Sequence, residues 1–559
     1  MNPQVQFLLD KAIQSISAGS FDSAKLYLNQ AIKIAPKNSE INRLFGVLAF
    51  FGNDQESAMQ YFDKSIDLNP RNSNAFTNKA NLLSEIGSYE EAIEFFHKAM
   101  ALDKNNYEAP NNLGNALQDL KRYAEAILWY EKAIQIKPNY AEAYSNLGNA
   151  LNELKRYKEA IKSYEKAIQL RPGYADAFSN LGNVYHELKR FDEAVLNYKR
   201  AISLNPINGE AYSRFGKLLN EYGKADQARK YFLESVNVSP NYPEGHLNLA
   251  CSYLEQLEFD NGWKEYEWRK KTKDQKFLGQ FNAKPEWNGS NNKGSLLIWG
   301  EQGIGDQILH GSILSDLRDF DGQVTVALDK KLLTLFERTF PEYQFIKNSP
   351  NLDRDAFDQQ ISIASLGKLF RRDLDHFKKN RSFLMADQDK KSQILNTLPD
   401  DKIICGISWK SINAKVGDSK SICLDDLLPI LKLEKTHPVN LQYGEVQSEI
   451  EALNQFHQIS INSFSSIDKY DDIDSLVALI DSCSYIVTTS NTTAHLSGAL
   501  GKETLLLLPF SVGKFWYWHY QEGRSIWYPS VRIFQQKQDG DWSEPIKQIK
   551  TLLEEKIAI

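Results

Sequence analysis

The spacing of apolar and polar residues changes halfway along the 559-residue chain. From Val5, one pattern of small, large and polar positions returns every 34 residues, and it decays after Tyr266. Beyond that point, short apolar runs rich in Val, Ile and Leu alternate with helical patterns. The chain therefore predicts two architectures in series, a helical repeat and then an α/β region.

The 34-residue repeat has the pattern of two helices that cross closely. Its fifth unit has small residues at Gly148 and Ala160, a large aromatic residue at Tyr164 and a proline at Pro172. Small residues let two helices approach each other, and the proline ends the second helix before the next unit. Eight units fit the pattern, and they start at Val5, Ser39, Ser73, Tyr107, Ala141, Ala175, Gly209 and Pro243.

This pattern resembles the tetratricopeptide repeat (TPR). The resemblance implies an α-solenoid over residues 1–275, in which the first helix of each unit lines a concave surface. The last, degenerate repeat would cap the array. Such repeats catalyse nothing on their own, and the bland interpretation is a scaffold that binds a protein or peptide.

Asparagines recur on the face of the first helix that is expected to line the groove. Position six of successive units holds Asn78, Asn112, Asn146 and Asn180, and position nine holds further asparagines. Positions six and nine lie on one helix face, so stacked repeats would align them. The position-six asparagines resemble the ladder of the protein O-GlcNAc transferases, which implies an acceptor peptide held through its backbone. A solvated polar groove is the alternative.

The α/β region contains candidate strands separated by helical segments. The strands are Ser295–Trp299, Val324–Leu328, Ile403–Trp409, Val439–Gln442, Tyr485–Thr488 and Thr504–Leu508, and the helices include Asp306–Leu317, Leu424–Leu431 and Thr492–Leu500. This alternation predicts parallel sheets with crossover helices. We expect a linker over 276–293 and two lobes, 294–395 and 396–559, with a cleft at the carboxyl ends of their strands.

The first lobe opens with GSLLIWGEQGIGDQILHG, which reads as a strand, a glycine turn and a helix start. The order GxxGxG is the reverse of the dinucleotide fingerprint and is not a P-loop. Gly303 and Gly305 would keep the loop close to the cleft, and Asp306 follows in the first helical turn. Asp306 is either a general base that faces the cleft or an acid favoured by the helix dipole.

In the second lobe, YIVTTSNTTAHLSGALGK ends a strand in a polar turn and opens a helix. Backbone N–H groups, hydroxyls and a positive helix end suit a phosphate, although a capped turn is the alternative. Two lysines on loops at the same edge would add positive charge, unless they are ordinary surface lysines. The candidate donor-binding residues are Lys410, Ser411, Lys420, Ser490, Asn491, Thr492, Thr493 and His495.

Together these segments resemble inverting glycosyltransferases of the GT-B fold, specifically the heptosyltransferase-like family 9 as found in TPR-linked bacterial flagellin glycosyltransferases. The resemblance implies two Rossmann-like lobes, with Asp306 as the base and the turn around His495 at the donor diphosphate. Lys410 and Lys420 fall in phosphate-contacting loops, and Ser490 stands where that family usually has an acid. A nucleotide sugar is then a co-substrate, and no metal or other cofactor is expected.

Charge, cysteine spacing and apolar runs argue against several other classes of protein. The formal net charge of −6 argues against nucleic-acid binding. The four cysteines show no metal spacing, and no DxD string directly follows a candidate strand. The sequence has neither the layout of a signal peptide nor an apolar run long enough to span a membrane, so a cytoplasmic location is expected.

Three functions remain open at this point. The first is a nucleotide-sugar-dependent transferase that modifies Ser or Thr of a protein bound by the repeats. The second is a transferase that acts on a surface glycan or a lipid-linked saccharide. The third is a non-catalytic TPR adaptor with a degenerate transferase lobe, while an NAD enzyme is disfavoured by the reversed glycine order.

Overall fold

The computed structural model describes residues 2–272, 284–290, 293–349, 352–353, 355–378, 382–412 and 416–558. The contacts within the chain define two compact units, Met1–Phe215 and Gly216–Ile559. The second unit joins the last helices of the repeat to the α/β region. The division between compact units therefore falls inside the repeat and not at its end.

The repeat contains sixteen helices within the described residues, and they follow one another in antiparallel pairs. Their bounds are α1 Pro3–Ser17, α2 Phe21–Ile34, α3 Ser39–Phe51, α4 Gln55–Leu68, α5 Ser73–Glu85, α6 Tyr89–Leu102, α7 Glu108–Asp119, α8 Tyr123–Ile136, α9 Ala141–Glu153, α10 Tyr157–Leu170, α11 Ala175–Glu187, α12 Phe191–Leu204, α13 Gly209–Glu221, α14 Ala225–Val238, α15 Pro243–Glu255 and α16 Phe259–Tyr266. A 3-10 turn, Glu267–Lys271, follows the last helix. The predicted helical repeat is confirmed.

Within a repeat, a small residue of the first helix packs against a large residue of the second. A Cβ atom added at Gly148 would lie 2.7 Å from the ring of Tyr164, and one added at Gly114 would lie 2.5 Å from the ring of Tyr130. Both tyrosines are buried. The recurring small and large positions of the sequence are therefore the two sides of one close helix crossing.

The first sheet of the α/β region has four parallel strands within the described residues, in the order β3-β2-β1-β4. The strands are β1 Lys293–Trp299, β2 Asp321–Leu328, β3 Gln344–Lys347 and β4 Gln359–Ser362. The second half of β1 is fully buried between its neighbours. Its carboxyl end therefore opens in the middle of the sheet edge, where parallel sheets place their ligands.

The second sheet has seven strands within the described residues, in the order β6-β5-β7-β8-β11-β10-β9. The strands are β5 Ile403–Ser408, β6 Thr436–Asn440, β7 Tyr485–Thr489, β8 Thr504–Leu508, β9 Tyr520–Gln521, β10 Arg524–Ser525 and β11 Val531–Gln535. The first five strands in this order are parallel, and β10 and β9 extend the edge as antiparallel strands. The prediction of parallel sheets is confirmed.

Short helices connect the strands of both sheets. They are α17 Ile304–Gly311, α18 Leu333–Thr339, α19 Gly367–Phe370, α20 Gln388–Leu395, α21 Gly417–Lys420, α22 Leu428–Leu431, α23 Gln447–His457, α24 Ile473–Asp481, α25 Thr492–Ala499 and the C-terminal α26 Ser543–Ala558. The helix predicted over Asp306–Leu317 is α17 followed by a 3-10 segment, Ser312–Asp319. The helix predicted over Leu424–Leu431 likewise begins as a 3-10 segment and continues as α22.

The strand predicted over Val439–Gln442 lies further toward the N terminus, since β6 ends at Asn440. The Gln442 side chain explains the early end. Its Oε1 accepts hydrogen bonds from the backbone N–H groups of Trp409 and Lys410 at 2.9 and 2.8 Å. A side chain thus meets the end of β5 where another residue of β6 would have continued the ladder.

Part of the predicted linker, 276–293, lies outside the described residues. The portion over 284–290 packs against the first sheet, because Trp287 is buried and its backbone N–H donates to the carbonyl of Gln360 at 2.9 Å.

Helix α20, which the sequence placed in the first lobe, packs against α24 of the second sheet through ion pairs of Lys390 with Asp474 and of Lys391 with Asp481.

Replacing Gly148 by alanine should lower the melting temperature of the protein. The new methyl group would meet the buried ring of Tyr164, at a cost of about 1–3 kcal/mol for overpacking, and the helix preference of alanine returns about 1 kcal/mol. Gly173→Ala is the matched control, because an added Cβ there meets nothing within 4 Å. Thermal denaturation that shows the same loss for both variants, or none for either, would contradict the close crossing.

Candidate active site

Asp306 lies in the first turn of α17, just beyond the carboxyl end of β1. The connecting turn is fixed at Gly300, whose N–H donates to the carbonyl of Ala327 at 2.7 Å and whose carbonyl accepts from Asn348 Nδ2 at 2.6 Å. The Asp306 carboxylate accepts a hydrogen bond from the N–H of Gly303 at 3.3 Å. Asp306 therefore caps the helix, as one interpretation of the sequence holds, and this cap fixes its carboxylate at the sheet edge.

Helix α17 of the first sheet meets helix α25 of the second sheet at Gly305. A Cβ atom added at Gly305 would lie 3.0 Å from Cδ2 and 3.4 Å from Nε2 of His495. The backbone next to Asp306 thus lies against the imidazole ring in the first turn of α25. The structure brings together the two turns that the sequence singled out, and Gly305 allows that approach.

Asn491 connects the N terminus of α25 to the end of β5 through hydrogen bonds. Its Oδ1 accepts from the N–H of Ala494 at 3.3 Å, and its Nδ2 donates to Ser408 Oγ at 2.8 Å and to the carbonyl of Lys410 at 3.2 Å. Among the described residues, the buried hydroxyl of Thr493 has no hydrogen-bond partner. Asn491 therefore builds the turn, and Thr493 is a polar group available within it.

Lys420, at the end of α21, is almost completely buried, with 4% of its surface exposed. Its ammonium group lies 4.6 Å from the centre of the Phe515 ring. Gly513, with φ +85°, makes room for the lysine stem, since a Cβ there would lie 2.5 Å from Lys420 Cγ. The charge of Lys420 acts on Asp306 and on His495, so all three side chains belong to one cluster.

Burial raises the pKa of the Asp306 carboxyl group to about 6. The hydrogen bond from Gly303 opposes this rise, the negative charge of Glu301 adds to it, and the positive charge of Lys420 opposes it. A carboxyl group with a pKa near 6 is ionised at neutral pH and is a better proton acceptor than an ordinary aspartate. This environment is suited to a general base.

Burial also shifts the two cationic candidates toward their neutral forms. The pKa of Lys420 falls to about 8, although Asp306 opposes the fall. The pKa of His495 falls to about 3 through burial and the nearby Lys420 charge. At neutral pH, Lys420 therefore carries the positive charge of the cluster, and His495 offers a neutral ring whose Nδ1 lies 3.2 Å from the Tyr528 hydroxyl.

Three buried tyrosines lie close enough to Asp306 for its charge to raise their pKa values. Tyr266 comes from the last repeat helix, and Tyr517 and Tyr528 come from the second sheet region. Burial raises the pKa of each phenol, and the charge of Asp306 contributes to each rise. The aromatic segment around Tyr517 also supplies the buried side chains of Trp516 and Trp518.

Three of the other donor-binding candidates, Lys410, Ser411 and Ser490, have partners within the protein. Lys410 forms an ion pair with Glu449, which compensates its charge. Ser490 Oγ accepts a hydrogen bond from Trp518 Nε1 at 2.7 Å, and the N–H of Ser411 donates to Ser421 Oγ at 3.1 Å. Thr492 begins α25 and is half-buried.

The turn glycines differ in what they contribute. Gly303 has a φ of −80°, and a Cβ there would make an ordinary contact 3.5 Å from Asp306 Oδ2, so the local structure does not require glycine. Gly300 is more constrained, because a Cβ would lie 2.8 Å from the side chain of Gln307 and 3.1 Å from the Ala327 carbonyl. The close packing at this turn therefore requires a residue without a side chain at Gly300 and at Gly305.

Sequence reasoning missed Glu301 and Arg269, which form a buried ion pair beside the turn. Glu301 stands inside the quoted segment GEQGIGD, and its position between glycines was the available signal. Arg269 lies 32 residues earlier, in the 3-10 turn after the last repeat, where the pattern had already decayed. Nothing in the spacing of the sequence connects the two residues.

His310, one helical turn after Asp306, is buried among the rings of Trp263, Trp516 and Trp527. Burial lowers its pKa to about 3, so the ring is neutral. Neither ring nitrogen has a hydrogen-bond partner among the described residues. The structure places His310 in the aromatic packing behind the turn.

The asparagines of the repeat bond to one another between repeats. Asn112 Nδ2 donates to Asn81 Oδ1 at 2.9 Å, and Asn180 Nδ2 donates to Asn149 Oδ1 at 2.9 Å. Asn146 Nδ2 donates to Asn115 Oδ1 at 3.1 Å in the same way, while the buried Nδ2 of Asn78 has no partner among the described residues. Position six of one repeat is thus bonded to position nine of the preceding one, and these amides hold neighbouring repeats together.

Neither a metal cluster nor a membrane-crossing helix is present in the described part of the chain. It contains no group of three or more His, Cys, Asp or Glu side chains placed to hold a metal ion. None of its helices combines the length and the apolar character that a membrane crossing demands.

Comparison with known proteins identifies the repeats. Residues 61–94, 114–155, 148–189 and 175–208 match tetratricopeptide-repeat families, and these segments are TPR repeats. Protein FlbA of Caulobacter vibrioides is 29% identical to the chain over 293 residues, which is 48% of each protein. The chain thus spans about half the length of this curated relative.

Solved structures of helical repeat proteins are also similar to part of the chain. A chain of the APC/C hetero-tetramer Cut9–Hcn1 is 18% identical, with a TM-score of 0.40, and the match covers 43% of this chain and 48% of that one. YrrB, a TPR protein with an unusual peptide-binding site, is 24% identical, with a TM-score of 0.28, and the match covers 34% of this chain and 97% of YrrB.

Asp306→Asn should stabilise the protein at pH 8 and have little effect near pH 4. The folded pKa of about 6 lies above the ordinary value of 3.8, so folding favours the protonated acid. The wild-type protein loses this contribution as the pH rises through 6, and the neutral amide does not, a difference of about 1–3 kcal/mol. Thermal denaturation between pH 4 and 8 measures it. The exposed Asp319 gives the control variant Asp319→Asn, and equal pH profiles for the two variants would contradict the shifted pKa.

Proposed function

We propose that this protein is an inverting glycosyltransferase of the GT-B type, which transfers a sugar from a nucleotide sugar to a hydroxyl group. The observation that carries the proposal is the meeting of α17 and α25. It places a carboxylate with a raised pKa, a buried lysine and the N terminus of a helix in one cluster, at the edges of two parallel sheets. A base and an anion site at adjoining sheet edges are what such a transfer requires.

Asp306 is proposed as the general base. Its carboxylate takes the proton of the acceptor hydroxyl while the hydroxyl oxygen attacks the anomeric carbon. The bond from that carbon to the diphosphate oxygen breaks, and the nucleoside diphosphate leaves with the bonding electron pair. One displacement inverts the anomeric centre, so a single carboxylate is sufficient.

Lys420 and the N terminus of α25 are proposed to stabilise the leaving diphosphate. Lys420 is nearly buried and, within the described residues, its ammonium group lies over the Phe515 ring with no carboxylate bonded to it, so its charge is available to an anion. The hydroxyl of Thr493 and the neutral ring of His495 add hydrogen-bonding groups at the helix start. We infer that Lys420 and the N terminus of α25 supply the positive charge without a metal ion.

The acceptor is proposed to be a protein segment recognised by the TPR repeats, with Ser or Thr as the modified residue. TPR repeats form concave surfaces that bind proteins or peptides. The asparagine amides are bonded between repeats, and Asn146 Nδ2 donates to asparagines of the preceding repeat. The groups that remain to bind a peptide are carbonyl oxygens such as Asn146 Oδ1, which can accept hydrogen bonds. A carbonyl oxygen accepts from the N–H groups of an extended peptide, whatever its side chains.

Asp306→Asn should lower the transfer rate by about 100- to 10,000-fold, because the amide cannot take a proton. Affinity for the nucleoside diphosphate should change by less than about threefold, since ground-state binding does not use this group. Release of nucleoside diphosphate from a panel of nucleotide sugars measures the reaction, and mass spectrometry of native-host proteins identifies the acceptor.

Two controls accompany this experiment. The exposed Asp319→Asn variant should keep the wild-type rate, and EDTA should not inhibit. Full activity in Asp306→Asn would exclude Asp306 as the base, and complete loss with EDTA would favour a metal-dependent reaction. If the wild-type protein releases no diphosphate from any donor of the panel, the adaptor function takes the place of the transferase.

Affinity for a nucleoside diphosphate should fall as the pH rises from about 7 to about 9. The reason is the pKa of about 8 of Lys420, which loses its charge in this range. Lys420→Met should weaken binding about 10- to 100-fold at pH 7, the value of a hydrogen bond to a charged group, and remove the pH dependence. Calorimetry tests both, with the exposed Lys432→Met as control. A flat profile in the wild-type protein would place the anion elsewhere.

A further inference from the structure

We propose that Arg269, at the end of the TPR array, is a positioning residue for the turn that carries Asp306. By holding Glu301 from the repeat side, it fixes the backbone between β1 and α17. The last repeat then forms part of the active site, in addition to any role in binding a partner. The activity readout of this inference rests on the proposed function, and a second readout does not.

The ion pair of Arg269 and Glu301 is completely buried, with 1% of each side chain exposed. Arg269 Nε donates to Glu301 Oε1 at 3.1 Å, and Nη2 donates to Glu301 and to the hydroxyls of Ser362 and Ser365 at 2.6 and 2.9 Å. Nη1 donates to the carbonyl of Tyr266 at 3.0 Å. One guanidinium group thus ties the repeat end to the turn after β1 and to the end of β4.

The surrounding charges are balanced. Around Arg269 lie Glu267, Lys270, Lys368 and Glu286, which are joined in a chain of ion pairs. With Glu301, the network has three positive and three negative groups. A buried pair of this kind adds little net stability, but loss of one partner leaves an uncompensated charge. Its effect is to specify the position of the groups that it joins.

A second bond from the repeat holds the next residue of the turn. Gln302 has a φ of +63°, a left-handed conformation that is unfavourable for a residue with a side chain. The Tyr266 hydroxyl lies 3.2 Å from Gln302 Nε2, which donates to it. The repeat end therefore fixes two consecutive residues of a strained turn.

The freedom of Tyr266 to make this contact follows from its repeat. In the fourth and fifth repeats the equivalent tyrosines, Tyr130 and Tyr164, donate to Asn115 and Asn149 of their own repeat at 2.8 and 2.7 Å. The last repeat has Cys251 in place of that asparagine. Its tyrosine hydroxyl bonds to the turn instead.

The turn between β1 and α17 also determines the surroundings of Asp306. The charged and titratable groups that face Asp306 are Glu301 of the turn, Lys420 of α21, and Tyr266, Tyr517 and Tyr528, while His495 lies against Gly305. Of these, Glu301 adds to the pKa of Asp306, and Arg269 fixes where Glu301 stands. A displaced turn would move both the base and the charge that tunes it.

Arg269→Lys keeps the charge but cannot form the planar fork of hydrogen bonds. We expect kcat for donor turnover to fall about 10- to 100-fold, with KM for the nucleotide sugar within about threefold, because the base is misplaced while the donor site is intact. Amide hydrogen exchange over residues 300–306 should become faster. The matched control is Arg372→Lys, which alters an exposed ion pair with Asp260 of the last repeat helix, with 58% and 66% of the side chains exposed. It should change neither quantity.

A double variant, Arg269→Met with Glu301→Gln, removes both buried charges and should remain folded. Its kcat should also be lower than that of the wild-type protein. The acid limb of its pH–rate profile should move to lower pH, because the Glu301 charge, which adds to the effect of burial on the pKa of Asp306, is gone. A purely structural role would leave this limb in place.

The outcomes separate this inference from the proposed function. If the wild-type protein turns over a donor, and Arg269→Lys matches Arg372→Lys in kcat and in exchange, the positioning role is wrong and the function stands. If no donor is turned over, but exchange over 300–306 rises in Arg269→Lys alone, the function is wrong and the positioning role stands. Unchanged exchange in Arg269→Lys overturns the inference whatever the activity.

Discussion

The contact between Gly305 and the ring of His495 is the constraint on which the candidate site depends. It brings the first turn of α17 against the first turn of α25, so that helix N termini from two sheets meet. A side chain at 305 would have to displace a buried imidazole ring, because its Cβ alone would lie 3.0 Å away. This approach helps to enclose Asp306, and burial is the main cause of its raised pKa.

Two kinds of buried charge lie side by side in this region, and they differ in how they are satisfied. Arg269 and Glu301 are bonded to each other and to serine hydroxyls, so each charged group has partners within the protein. Asp306 and Lys420 influence each other's pKa but each is shifted toward its neutral form by burial. The first arrangement fixes the positions of the groups that it joins. The second arrangement is typical of functional sites, where burying a charged group lowers the stability of the folded protein.

The long-period features of the sequence predict most of the fold. The 34-residue repeat is visible because each unit needs the same small and large residues at its helix crossing, as Gly148 and Tyr164 illustrate. Central strands such as β8 are visible because they are buried throughout and consist almost entirely of apolar residues. The short β3 and β4 lack such a signal, since four residues show no period, and they were not predicted.

The candidate site is only partly predictable. The turns around Asp306 and His495 have local patterns, but the pair of Arg269 with Glu301 joins distant segments through geometry alone. The amide ladder shows the same limit: spacing placed positions six and nine on one face, but their mutual bonding depends on the rise between repeats, as the bond of Asn112 to Asn81 shows. Interior repeats thus use their polar groups for stacking. The last repeat has Cys251 in place of the asparagine partner, so its Tyr266 hydroxyl bonds to the turn before Asp306 instead.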